Sequence, residues 1–208
     1  MENPGSGIKE GQVSYVGREG GGFIKRLLCV ILMIFLLTGC SGGEEDLDRA
    51  LELRARLLKS ACSFDVVVTA DYGDEIYIFS MTCTSGIKGE VQFTVTEPQS
   101  IAGISGSLGA EGGKLHFDEQ ILSFPLMADD QFSPVAAPWI LMKTLRGGFV
   151  TSAWTEGEYF RLSIDDSYDT DALHLDVWLD GADLPVRAEV LWQGRRLLSM
   201  EVKNFQIG

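Results

Sequence analysis

CSFDVVVTADYGDEIYIFSMTCT, residues 62–84, contains two runs of alternating apolar and polar residues on either side of a turn-forming segment. Alternation with a period of two predicts β-strands that bury one face. Asp71, Gly73 and Asp74 are residue types that favour turns, so we expect an antiparallel hairpin. The register that we predict aligns the apolar residues across the hairpin: Phe64 with Met81, Val66 with Phe79, and Val68 with Tyr77.

The same register places Cys62 directly opposite Cys83. Directly opposite residues on neighbouring strands have Cβ atoms about 4.5–5.5 Å apart, which is close to the roughly 3.8 Å of a disulfide. Cys62 and Cys83 are therefore a candidate disulfide. The alternative is two buried free thiols, which would suit an anaerobe.

Helical periodicity appears on both sides of the predicted strands. Residues 44–60 carry leucine and alanine at helical spacing behind three acidic residues, which predicts an amphipathic N-terminal helix. We expect its leucine stripe to pack in the core rather than to bind a partner. In the middle of the chain, Ser133 and Pro134 are typical of a helix start, although Pro138 favours a start at Ala137. This second helix is predicted to end at residue 146.

The chain after residue 149 has the pattern of further strands. In the hairpin of residues 172–180 and 185–193 we expect these pairs: Leu175 with Val190, Val177 with Ala188, Leu179 with Val186, and Trp178 with Arg187. For the last hairpin, a two-residue turn at Gln193-Gly194 competes with a three-residue loop. The loop gives the better pairs: Val190 with Leu198, Ala188 with Met200, Val186 with Val202, and Arg187 with Glu201.

These elements predict an α+β fold that is mainly β. About ten antiparallel strands would form one strongly curved sheet, a half-barrel, wrapped over the N-terminal helix and the mid-chain helix. The formal net charge of −13 excludes nucleic acid as a partner, because the acidic protein surface and the phosphate backbone would repel each other.

KRLLCVILMIFLLTGCSGG, residues 25–43, has the pattern of an export signal. Its apolar run, residues 27–37, rises about 16 Å as a helix, roughly half of the hydrocarbon thickness of a bilayer. The sequence Thr38-Gly39-Cys40 resembles the lipobox of bacterial lipoproteins. That resemblance implies cleavage between Gly39 and Cys40 and acylation of Cys40, with palmitate-like chains that hold the protein on the extracytoplasmic face of the cell membrane.

The predicted organisation is therefore a leader and signal peptide over residues 1–39, a lipidated tether over residues 40–43, and a single domain over residues 44–208. Cys29 lies in the part that is removed, and Cys40 is taken by lipid. Only Cys62 and Cys83 remain for the exported domain.

The order of the elements resembles the superfamily of Lol-type lipoprotein carriers and LppX-like lipoproteins. This order is a lipobox, an N-terminal helix, meander strands, a Ser-Pro-started helix and closing strands, with residues 93–104 similar to the strand and bend of that group. The resemblance implies an unclosed barrel whose concave face holds acyl chains under a helical lid. It implies these ligand-lining residues: Val66, Phe79, Trp139, Leu141 and Met142. The lid arginine of the Lol-type carrier is not assigned to any residue here, Arg146 included.

Catalysis and metal binding have little support in the sequence. His116 and His174 lie on predicted polar strand faces without a cysteine or second histidine nearby, and no nucleophile elbow is present. The acidic run of residues 165–171 lacks the glycine and the terminal glutamate of an EF-hand and is interpreted as a solvated turn. We expect no enzyme, no cofactor and no metal site.

Two functions remain open. The first is a lipoprotein that binds a lipid or another hydrophobic ligand in a half-barrel cavity. The second is an envelope module of similar fold with a filled core, which binds a protein partner or has a structural role. The tryptophans at 139, 154, 178 and 192 suit either, because a cavity lining and a packed core use the same residue types.

Overall fold

The computed structural model describes residues 42–117, 120–128 and 131–208. The predicted signal peptide, Gly39 and Cys40 lie outside the described residues. Within them the chain forms two α-helices and thirteen strands. The helices are α1 (Gly42–Lys59) and α2 (Ala137–Gly147), and a 3-10 turn (Pro134–Ala136) precedes α2. The strands are β1 (Cys62–Asp71), β2 (Ile76–Ser85), β3 (Val91–Glu97), β4 (Ser105–Gly109), β5 (Gly112–Phe117), β6 (Gln120–Phe124), β7 (Met127–Ala128), β8 (Gln131–Phe132), β9 (Phe149–Glu156), β10 (Tyr159–Asp165), β11 (His174–Leu179), β12 (Pro185–Trp192) and β13 (Arg195–Ile207).

Eleven of these strands form one curved, unclosed antiparallel sheet with the order β6-β5-β4-β3-β2-β1-β13-β12-β11-β10-β9. The first half of the chain runs outward from β1 to the edge strand β6. After α2, the chain continues at the opposite edge, β9, and returns until β13 pairs with β1. The predicted α+β, mainly β half-barrel with two helices is confirmed.

The helix α1 begins with acidic residues and ends with basic ones, as its dipole favours. Its expected leucine stripe is only partly core. Leu57 is buried, whereas Leu47, Leu51 and Leu58 are between 42% and 50% exposed. The prediction that the stripe packs in the core is therefore wrong for these three leucines, because the sheet covers one side of α1 only.

The β1–β2 hairpin has the predicted faces but a different register. The turn comprises Tyr72–Glu75, closed by a hydrogen bond from Tyr72 N–H to Glu75 O of 3.0 Å, so it lies one residue later than predicted. Moving a turn by one residue shifts every pair by two, which keeps each side chain on its face. The pairs observed are Phe64 with Cys83, Val66 with Met81, Val68 with Phe79, and Ala70 with Tyr77.

This register corrects the predicted disulfide. Cys62 lies opposite Ser85 and Cys83 lies opposite Phe64. The two cysteines are diagonal neighbours on the buried face, and both are free thiols. The two-residue shift is what separates them, since a disulfide needs Cβ atoms about 3.8 Å apart and diagonal residues lie farther from each other.

The C-terminal hairpins agree with prediction until a bulge intervenes. Leu175 pairs with Val190, and Val177 pairs with Ala188, but Leu179 pairs with Pro185 instead of Val186.

In the last hairpin, the predicted pairs Val190 with Leu198, Ala188 with Met200, and Arg187 with Glu201 are all present. The turn itself is nevertheless the two-residue Gln193-Gly194, with positive φ at both residues (49° and 77°). A bulge after Val190 reconciles the two registers.

A ladder of aromatic and guanidinium groups crosses one face of the C-terminal half of the sheet. The Arg161 guanidinium lies 4.8 Å from the ring centroid of Trp154 and 4.5 Å from that of Trp178, and Arg187 lies 4.4 Å from Trp178. The predicted pairing of Trp178 with Arg187 is confirmed, and the Trp178 side chain is buried. Asp176 anchors the ladder by pairing with Arg161 at 2.8 Å.

Burial raises the pKa of both the Cys62 and the Cys83 thiol, so few thiolates form near neutral pH. We expect neither residue to react with iodoacetamide in the native protein at about pH 8. Both are expected to react after unfolding in guanidinium without any reductant, as measured by mass spectrometry of their peptides. Labelling that requires a reductant would show instead that the two sulfurs are bonded.

Candidate ligand-binding site

The two helices meet at their C-terminal turns, where each contributes an arginine to the other. Arg54 of α1 donates to the carbonyl oxygens of Leu145 and Gly148, at 3.1 and 2.6 Å. Arg146 of α2 donates to the carbonyl of Leu57 at 3.0 Å and to that of Ser60 at 3.1 Å. The last carbonyls of a helix have no partner within it, so each arginine caps the end of the neighbouring helix.

Arg146 is 7% exposed, and all of its N–H donors have acceptors. Besides the two carbonyls of α1, the guanidinium binds Ser85 Oγ at 2.9 Å and the Gly86 carbonyl at 2.8 Å, and it lies 4.0 Å from Cys62 Sγ. None of the salt bridges among the described residues involves Arg146, so its charge is balanced by carbonyl dipoles. The partial negative charge at the end of α1 favours this placement.

A pocket of about 730 Å³ opens beside this contact, between α1, α2 and two turns of the sheet. We call it the rim pocket. Arg146 lies in its wall, where the guanidinium joins the two helices to the turn after β2. The lining residues come from four segments: Leu58; Ile87, Lys88, Gly89 and Glu90; Ser107 to Gly112 with Lys114; and Trp139, Lys143, Arg146 and Gly147.

The rim pocket combines apolar walls with an excess of positive charge. Leu58 and Ile87 are 50% and 60% exposed at its mouth, and the half-buried Trp139 lies against it. Four cations and two carboxylates line it, in a chain whose net charge is −13. One of these cations, Lys143, lies 5.3 Å from the Trp139 ring centroid and pairs with Asp166 at 3.0 Å. An amphiphile with an apolar part and an anionic group fits this combination.

The structure separates the predicted lining residues. Trp139 lines the rim pocket. In contrast, Val66, Phe79, Leu141 and Met142 are buried in the hydrophobic core, between 0% and 7% exposed. All four belong to one buried hydrophobic cluster, to which the sheet contributes Val66 and Phe79 and α2 contributes Leu141 and Met142. A ligand could reach these four only if the helices moved away from the sheet.

Sequence reasoning missed the part that Arg146 plays. The signal was an arginine within an α2 sequence that is otherwise apolar around most of its circumference, and in the structure it lies on the buried side. The pocket cations Lys88, in the β2–β3 turn, and Lys114, on β5, carried no comparable signal. Their positions depend on how the sheet curves toward the helices.

The histidines lie apart from the rim pocket. His116 is exposed on β5. The His174 ring contacts Asp165 at 2.7 Å and Asp176 at 3.3 Å. Among the described residues no three histidine, cysteine, aspartate or glutamate side chains are close enough to hold a metal ion. In the acidic run, Asp166 accepts the backbone N–H of Leu173 at 2.8 Å and so closes the turn internally.

None of the helices in the described residues is long and apolar enough to cross a membrane. No protein-family model matches the sequence, and neither does any curated protein sequence.

Several solved structures resemble the chain in fold. A LolA superfamily protein from Nitrosomonas europaea is 8% identical, with 76% of this chain and 93% of that chain covered and a TM-score of 0.40. The lipoprotein LppX from Mycobacterium tuberculosis is 10% identical, with 75% and 92% covered and a TM-score of 0.36. LprF from Mycobacterium bovis is 9% identical, with 79% and 95% covered and a TM-score of 0.40. At such identities the likeness concerns the fold alone.

Replacing Arg146 with methionine tests the contact between the helices. The variant keeps an unbranched apolar stem and leaves the carbonyls of Leu57, Ser60 and Gly86 without their donor. We expect the free energy of unfolding, measured with chemical denaturant, to fall by about 3 kcal/mol. The matched control is Arg56→Met on the exposed side of α1, which we expect to cost less than about 0.5 kcal/mol. Equal losses in both variants would contradict the capping role.

Proposed function

We propose that this protein is a lipid-anchored lipoprotein on the extracytoplasmic face of the cell membrane, and that it binds an amphiphilic lipid in the rim pocket. The apolar part of the ligand would lie against Leu58, Ile87 and Trp139. Its anionic group would lie toward the lysines, because the N–H donors of the buried Arg146 already have acceptors in the protein. The observation that carries this proposal is the pocket itself, which joins exposed apolar side chains to a local excess of cations in an acidic chain.

Size and chemistry support a small-molecule ligand. Pockets for such ligands are concave spaces of about 300–1,000 Å³ with mainly apolar walls and a few polar groups that orient the ligand. The rim pocket has about 730 Å³. Covering an exposed leucine or isoleucine with a lipid chain is favourable by up to about 1.5–3 kcal/mol when the side chain becomes fully buried. Leu58 and Ile87 are 50% and 60% exposed, so about half of that gain is still available at each residue.

The packed interior moves the proposed site away from the centre of the half-barrel. Val66, Phe79, Leu141 and Met142 already fill the space between the sheet and α2 with protein side chains. The interior of the fold therefore fits the second candidate better, which is an envelope module that has a filled core and binds a protein. The rim pocket is different, because its apolar residues remain exposed.

Measuring whether lipid remains bound to the purified protein distinguishes the two candidate functions. We would express residues 41–208 without the anchor, extract any bound lipid from the purified protein and identify that lipid by mass spectrometry. An anionic amphiphile at about one per chain is expected. Because a carboxylate at the mouth opposes both an acyl chain and an anionic group, Leu58→Glu and Ile87→Glu should each reduce the bound lipid about tenfold.

The matched control is Leu51→Glu, which changes an equally exposed leucine of α1 outside the pocket lining. It should leave the bound lipid unchanged. A stable protein that carries no lipid, or an equal loss in the control, would reject the lipid site and favour the protein-binding module.

The anchor is tested separately in cells. Because the thiol of Cys40 is the predicted site of acylation, Cys40→Ala should abolish the lipid mass on the N-terminal peptide and release the chain from the membrane fraction. Cys29→Ser is the matched control, since residue 29 lies in the part that is removed, and it should leave both properties unchanged. A mature N-terminus other than residue 40 would contradict the prediction.

A further inference from the structure

A second pocket lies at the other end of the β1–β2 hairpin. It has a volume of about 650 Å³ and opens at the turn between these strands, whereas the rim pocket lies near the turn that follows β2. Each strand of the hairpin has ten residues. A strand rises about 3.3 Å per residue, so the hairpin separates its two ends by about 33 Å. We call this second space the turn pocket.

Aromatic rings form the walls of the turn pocket. They belong to Tyr72, Tyr77 and Phe132, with Pro134 beside them. The rings of Tyr72 and Tyr77 are 5.9 Å apart at an interplanar angle of 59°, so their faces form a corner. The Tyr72 hydroxyl donates to the Phe132 carbonyl at 2.5 Å, which fixes the Tyr72 ring against the segment before α2. The corner is therefore held in place before any ligand enters.

The charged residues that line the turn pocket are acidic. They are Asp74 and Glu75, and none of the described residues that line it is basic. The Tyr77 hydroxyl donates to the Glu75 carboxylate, so this charge is held next to an aromatic face. One arginine lies at the turn: Arg195 donates to the Asp71 carbonyl at 3.4 Å, and it is not among the residues that line the pocket. The electrostatic preference of the pocket is thus for a cation.

Aromatic faces and carboxylates together select an organic cation. The face of an aromatic ring is the negative part of its quadrupole, and it attracts ammonium groups at distances up to about 6 Å. Methylated ammonium groups suit such a corner well, because their charge is spread over an apolar surface. A divalent metal ion would need several oxygen ligands that converge on one point. No group of three potential ligand residues occurs in the described part of the chain.

We propose that the turn pocket binds a substituted ammonium cation, held between the rings of Tyr72 and Tyr77 and balanced by Glu75. The proposal does not depend on the lipid site, since the two pockets share no residue. The cation can come from two sources with the same chemistry, a free quaternary amine or the headgroup of a choline lipid.

Calorimetric titration of the full-length protein in a nonionic detergent tests the proposal, with choline as the probe. The control ligand is 3,3-dimethylbutan-1-ol, which has the shape of choline but no charge. We expect choline to bind saturably and at least about tenfold more tightly than the neutral alcohol. Equal binding of the two compounds, or no saturable binding of choline, would overturn the proposal.

Variants of the lining give the second test. Tyr77 is 46% exposed, so its replacement leaves the core intact. Tyr77→Ala should weaken choline binding about tenfold, Tyr77→Phe should retain it within about twofold, and Glu75→Gln should weaken it about fivefold. The matched control is Tyr159→Ala, because Tyr159 is also exposed and also has its pKa raised by a neighbouring glutamate, Glu158, but lies on β10. An equal loss in that control would overturn the assignment.

Competition identifies the source of the cation. Phosphatidylcholine in mixed micelles that displaces choline would assign the site to a lipid headgroup, and phosphatidylglycerol should then have no effect. Choline that binds but is not displaced by phosphatidylcholine would assign the site to a soluble amine. Both results support the cation site, and displacement by phosphatidylglycerol alone would contradict it.

Discussion

The exchange of arginines between α1 and α2 is the contact on which the rest of the structure depends. Both helices end at the same place, and each end carries unpaired carbonyl groups and partial negative charge. Two such ends repel each other unless cations lie between them. Arg54 and Arg146 supply those cations, and each caps the helix to which it does not belong. Burial lowers the pKa of Arg54, which indicates the cost of removing the charge from water and hence the need for good acceptors.

The same contact also shapes the rim pocket. Arg146 binds Ser85 and Gly86 in addition to the end of α1, so it ties the turn after β2 to both helices. Ile87 follows directly in that turn and forms the pocket mouth together with Leu58 of α1. The pocket is thus the space that remains where two helix ends and a turn are held around one guanidinium. Its apolar residues stay exposed because the packing in the core is satisfied without them.

The faces of the strands could be predicted from the sequence, while the pairs across them could be predicted only in part. Alternation assigned each residue of β1 and β2 to the correct side of the sheet. The turn was placed one residue early, however, and this changed the predicted partner of Cys62 from Ser85 to Cys83. Turn composition alone does not fix the position of a turn to one residue. The bulge in the last hairpin could not be predicted either. It allows a two-residue turn to occur together with the strand register that a three-residue loop would give. The role of Arg146 depends on which helix end packs beside it, and local sequence carries no such information.

The two pockets lie at opposite ends of one hairpin, and the charged residues that line them are mainly of opposite sign. The rim pocket collects cations in an acidic chain, and the turn pocket has acidic residues and aromatic rings without a basic residue among its described lining. A zwitterionic headgroup is far shorter than a ten-residue strand, which spans about 33 Å, so one headgroup cannot occupy both pockets. The fold therefore offers two independent sites of opposite preference. Because β1 and β2 are paired along their whole length, the distance between these sites is fixed by the sheet and does not depend on the side chains that line them.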